Sequence, residues 1–254
     1  MQEKSVNTYI IFGTVLRYLQ DATAGWSIKG EARIEGNLRA FFEWLEKHDL
    51  RITATVATAE GLHELLDELE ASDNDSLTED QAKVLSGGMT NTRPTLEAEA
   101  HEKKAFVVSP KRWAVDTLLK EPSSLFAKDV FVEISEMVRY DFQEACRCLA
   151  FERSTAAAFH VLRGTEAMLR DYYCSVVKQK RLTEKKRMWY PMVEQMRKRR
   201  SPPPSEILDT LDQIRQNYRN PTQHPEAIYD IDRAQDLIGI CIPVINQMAR
   251  EMRD

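Results

Sequence analysis

Apolar residues return every three or four positions along most of this chain, and that spacing belongs to the face of an α-helix rather than to a strand. Ile34, Leu38, Phe41, Phe42 and Leu45 mark one such face, and Leu62, Leu65, Leu66 and Leu69 a second. Longer stripes follow: Ile134, Met137, Val138, Phe142, Ala145 and Leu149, then Phe159, Leu162, Glu166, Leu169, Tyr173 and Val176. Ile207, Leu208, Leu211, Ile214 and Tyr218 make another, and Leu237, Ile238, Cys241, Ile245, Met248 and Met252 the last. A chain of 254 residues with only 9 glycines and 10 prolines lacks the turn punctuation of a sandwich or barrel. The fold class is therefore all-α, with at most one short strand or hairpin. Arg51–Ala57, which alternates Ile52, Ala54 and Val56, is one candidate for extended structure. The better one is the stretch from Ala105 to Pro110, with a short strand around Phe106–Val108 ahead of a helix over Lys111–Lys120.

Punctuation divides these stripes. Ser76 and Glu79 have capping-box spacing, and Gly87-Gly88 is expected to break the helix that follows. Pro122-Ser123-Ser124 is the expected boundary, leaving an N-terminal helical domain over 1–122 and an up-and-down helical bundle over 123–254. Ser154 or Thr155, then Ser205, then Asp230 or Asp232, are candidate caps for the bundle's later helices. The penultimate helix should end at Asn220-Pro221, because proline disfavours helical backbone in the residue before it.

No apolar run approaches the roughly 20 residues that span a bilayer. The start, MQEKSVNTYIIFG, lacks the basic head and long apolar stretch of a secretory signal. The expectation is a cytoplasmic protein without a membrane partner, its four cysteines free and without zinc-pair spacing. The net charge of −5 conceals an asymmetry: nine acidic residues and no Lys or Arg between Glu60 and Asp80, against ten Lys/Arg between Lys178 and Arg200. Runs of this kind are ordinarily solvated helix faces. The basic run also holds Trp189 and Tyr190, and cations interleaved with aromatics suit phosphate contact and base stacking. Lys185, Lys186 and Arg187 are its candidate RNA-binding residues.

Dinucleotide, NTP, zincin and serine-hydrolase motifs are absent, and the five histidines are scattered, so neither a metal nor a cofactor is expected. What remains is Arg219-Asn220-Pro221-Thr222-Gln223-His224, at the end of one helix and in the link to the next. An arginine fork holds a phosphate through two parallel hydrogen bonds, and a histidine four residues on moves protons near neutral pH. Taken alone, the spacing better fits an arginine capping its own helix and a histidine packed in a turn. Glu166 falls inside an apolar stripe and needs a partner. Arg163 and Arg170 offer one locally; reaching and orienting Arg219 or His224 is the alternative.

Arg-Asn followed after three residues by His, between the last two helices of a bundle, resembles the signature of HEPN domains. The stretch from Ala156 to Glu166 is similar to the family's helix before its variable insert, and the resemblance covers roughly 129–254, nothing before Pro122 contributing. It implies a homodimer through the C-terminal domain and a metal-independent endoribonuclease, of the kind found in toxins and phage-defence effectors. Arg219 would bind the scissile phosphate, His224 would transfer protons or contact the transition state, and Asn220 would help orient the pair. The 2′-hydroxyl would attack, leaving a cyclic phosphate. The alternatives are a non-catalytic RNA- or nucleotide-binding domain of the same family, or an interaction protein whose N-terminal helices recruit a partner or antitoxin. Two departures stand out. Family toxins that pair with a nucleotidyltransferase antitoxin often carry tyrosine two residues after the histidine; here that position is Glu226, and the nearest tyrosine is Tyr229. Arg153 and His160 form a looser R-x6-H match on the wrong helix, expected to be a decoy.

Overall fold

The apolar stripes become helices. The computed structural model describes residues 5–104, 106–178 and 188–253, and the regular elements among them are all helical, beside one isolated antiparallel bridge between Ser27 and Ser76. No helix among the described residues is long and apolar enough to cross a membrane. The chain divides into two compact units, Met1–Phe106 and Val107–Asp254.

The first unit holds α1 (Val6–Gln20), α2 (Ile34–Lys47), α3 (Arg51–Ala59), α4 (Leu62–Ala71) and α5 (Glu79–Glu102). Arg51–Ala57 is thus helical rather than extended. Thr53 and Ala57, one turn apart, are fully buried, and Glu99 of α5 satisfies the helix start by accepting from the Ile52 and Thr53 amides and the Thr53 hydroxyl. The capping box at the start of α5 is formed by Thr78 and Gln81, not by Ser76 and Glu79. Gly87-Gly88 does not break this helix. A side chain on Gly88 would come within 2.7 Å of Leu62 Cδ2, so the glycine is where α4 seats its first residue, while Gly87 faces open space.

The second unit begins earlier than Pro122. Its first helix, α6 (Val115–Lys120), buries Leu118 in this unit's own core, which draws the preceding segment with it. The expected strand around Phe106–Val108 is absent: Phe106 and Val107 are 91% and 93% exposed, with neither a partner strand nor burial to hold them extended. A 3₁₀ turn (Pro122–Leu125) and α7 (Val130–Glu133) lead into α8 (Glu136–Ala150) and α9 (Ser154–Val177). The remaining helices are α10 (Trp189–Arg197), α11 (Ser205–Ile214), α12 (Asn220–Thr222) and α13 (Ile231–Glu251). Helix α9 is the bundle's centre, burying Ala157, Ala158, Val161, Leu162, Leu169, Tyr172 and Tyr173. Each large aliphatic chain so buried stabilises the bundle by about 1.5–3 kcal/mol. Neither Ser154 nor Ser205 caps its helix through its side chain; Asp230 does cap α13, accepting from the Arg233 amide. All four cysteines are free, and burial pushes the Cys146 and Cys241 thiols up to about 12.

Candidate functional site

Helix α9 carries His160, Arg163 and Glu166 at three-residue spacing, so the three share one face of the bundle. Facing them from α8 is Asp141, a carboxylate with no solvent exposure. The two helices approach closely at Gly164, where an added Cβ would stand 3.2 Å from the Asp141 Cβ. That approach brings Asp141 into a network. Arg163 Nε donates to both its oxygens at 2.9 and 2.7 Å, and His160 Nδ1 lies 3.0 Å from Oδ1. Hydrogen bonds to Asp141 raise the Arg163 pKa above its ordinary value, with burial opposing.

Arg219 arrives from the other side. Helix α11 does not end in a simple cap: residues Arg215–Arg219 form a π-helical turn, closed by the Asn220 amide bonding the Arg215 carbonyl, and the chain stays helical through Thr222. The expected stop at Asn220-Pro221 is thereby replaced. A proline ring collides with the carbonyl one α-turn back, and the wider π-turn relieves that clash while keeping Asn220 helical (φ −65°, ψ −49°). Such turns recur at functional sites, because the extra residue redirects the side chains on it.

The redirected Arg219 points at Glu166, with Nη2 3.6 Å from Oε2. Glu166 Oε1 accepts from Arg170 at 2.6 Å, so the carboxylate serves its local partner and Arg219 together. Arg163 is not a partner of Glu166, its fork being taken by Asp141. The Arg219 Nε is buried with no hydrogen-bond partner among the described residues. Phe159, His160, Leu162, Arg163, Glu166, Arg219, Thr222 and Gln223 line a cleft of about 360 Å³. His160, expected to be a decoy, therefore shares the cleft with Arg219.

Asn220 and His224 are both exposed, His224 on the turn after α12 and outside the residues that line the cleft. That turn is held from behind. Tyr229, 4% exposed, shares a 2.7 Å hydrogen bond with the Thr222 hydroxyl, and its amide donates to Thr155 Oγ1. Tyr229 is thus a structural pin and not a surface tyrosine open to modification.

The basic run fares differently at each end. Lys185, Lys186 and Arg187 lie outside the described residues. Trp189 is 2% exposed and its indole donates to the Leu211 carbonyl at 3.0 Å, which makes it a core residue and removes it as a stacking platform. Tyr190 stays half exposed, with the Arg215 guanidinium 4.9 Å from its ring centre. Among the described residues, no group of three or more His, Cys, Asp and Glu side chains is arranged to hold a metal ion.

Sequence reasoning missed Asp141. Its signal was its place between Val138, Phe142 and Ala145, on the buried side of α8. Compared with protein-family models, curated proteins and solved structures, the chain matches none of them.

Proposed function

We propose that this protein is a HEPN-type endoribonuclease, a toxin or phage-defence effector that cleaves RNA by 2′-hydroxyl attack and needs no metal. The observation that carries the reading is the state of Arg219. Its guanidinium sits in an open cleft beside a second arginine, and among the described residues its Nε is buried without a partner and its one ion pair is that to Glu166 at 3.6 Å. An arginine left with unused donors is ready for the three acceptor oxygens of a phosphate, and Glu166 sets its direction without occupying its fork.

In this reading Arg219 grips the scissile phosphate, and Arg163, paired with Asp141, lines the cleft beside it. Asn220 and His224, on the exposed end of the same segment, work on the strand from the rim, His224 as a proton carrier. Two copies of the second unit pair so that their Arg219 clefts face one RNA strand. Lys185, Lys186 and Arg187 add backbone contacts that salt weakens.

Incubating the purified protein with mixed RNA in EDTA tests the reading. Cleavage leaving 2′,3′-cyclic phosphate and 5′-hydroxyl ends supports it. RNA binding without cleavage replaces it with a non-catalytic RNA-binding domain, and neither binding nor cleavage removes RNA altogether.

A further inference from the structure

We infer that His160, oriented by Asp141, is a general base of the Arg219 cleft; the inference rests on the ribonuclease reading above. A fully buried carboxylate offers only acceptors, so the His160 Nδ1 that meets it at 3.0 Å carries the ring's proton. In the neutral ring the lone pair is then on Nε2, which makes no hydrogen bond among the described residues. The His160 side chain is 26% exposed and lines the same cleft as Arg219.

Charge balance alone does not call for this histidine. Arg163 already meets both oxygens of Asp141, so the contact from His160 neutralises nothing further and instead fixes the ring. An acidic group on Nδ1 of a histidine that lines a cleft is the arrangement by which a carboxylate prepares an imidazole to accept a proton. His224 has no such support: its side chain is exposed and makes no hydrogen bond or ion pair among the described residues.

The step divides between the two histidines. The proton of the attacking 2′-hydroxyl passes to His160 Nε2 as O2′ bonds to phosphorus. The P–O5′ bond breaks, and O5′ leaves with a proton from protonated His224. A 2′,3′-cyclic phosphate and a 5′-hydroxyl result, and both histidines return to their starting states by exchange with water. Arg219 faces the charge that builds on the non-bridging oxygens.

The test compares wild type, His160→Ala and His160→Gln on one RNA, with and without added imidazole, alongside RNA affinity and helical content. His160→Gln retains a donor for Asp141 and covers the case in which the alanine variant does not fold. The expected result is a loss of cleavage of about 10²–10⁴-fold in the folded variants. RNA affinity should stay unchanged, and imidazole should restore part of the activity to His160→Ala. Wild-type cleavage matched by both variants overturns the base assignment and leaves the ribonuclease reading standing. A loss that follows RNA affinity and ignores imidazole makes His160 structural and also overturns it. A wild-type protein that cleaves no RNA overturns both.

Discussion

Glu166 and Arg219 face each other across 3.6 Å, while the other oxygen of the same carboxylate is held by Arg170 at 2.6 Å. The tighter bond anchors the carboxylate and the looser one steers the arginine. Replacing Glu166 by Gln should leave Arg219 charged but unsteered. RNA binding should then hold or strengthen, as a competing anion is gone, while turnover falls by up to about 10²-fold, the effect of an ångström-scale misplacement. A kcat and KM measurement separates the two effects; a rise in KM with kcat unchanged would contradict this role.

Gly87 and Gly88 are neighbours in one helix with opposite surroundings. Alanine at Gly87 meets open space and should stabilise the first unit by up to about 1 kcal/mol through helix propensity. Alanine at Gly88 meets Leu62 Cδ2 at 2.7 Å and Cγ at 2.9 Å, and Leu62 is fully buried. Overpacking of this kind costs about 1–3 kcal/mol, enough to outweigh the propensity gain. Denaturant unfolding of the two variants should move in opposite directions.

Glu99 ties the end of α5 to the start of α3. Burial raises its pKa, but hydrogen bonds from Thr53 and Ile52 outweigh burial and hold it below the ordinary 4.5. A carboxyl depressed on folding stabilises fully above that ordinary value and loses its contribution as pH falls through the folded one. Glu99→Gln should therefore speed amide exchange at Thr53 near neutral pH, by the equivalent of about 1 kcal/mol for a weakened helix cap. Once the pH is below the folded value, variant and wild type should exchange alike.

Reversing Lys185, Lys186 and Arg187 to glutamate should weaken RNA binding without changing helical content. The plot of log affinity against log salt should flatten by about 1 for each phosphate that the variant no longer neutralises. An unchanged slope would make the run a solvated face.

How much of the fold and site is legible in the sequence depends on whether a feature is local. The stripe from Phe159 to Val176 specifies α9 because its three- and four-residue spacing is a property of that segment alone. Asp230 as a cap is local too. Glu166 is legible as a carboxylate in need of partners, yet that Arg170 and Arg219 share it depends on how α9 meets the π-turn. The π-turn itself is not legible. The bias against a helical residue before proline is real, and here the geometry of Asn220 overrides it through a widened turn. His160 reads as a decoy because its partner Asp141 is 19 positions away, and sequence spacing on one helix cannot display a neighbour on another.

The most direct test of the central claim is cleavage of one RNA in EDTA by wild type, Arg219→Ala and Arg219→Lys side by side. Glu166 keeps Arg170 when Arg219 is removed, so melting should shift little, by the equivalent of less than about 1 kcal/mol. Cleavage by Arg219→Ala should fall by about 10²–10³-fold, the usual effect of removing one donor to developing charge. Arg219→Lys should stay well below wild type, since lysine keeps the charge and loses the planar fork. Full activity in Arg219→Ala would contradict the claim that this arginine holds the scissile phosphate.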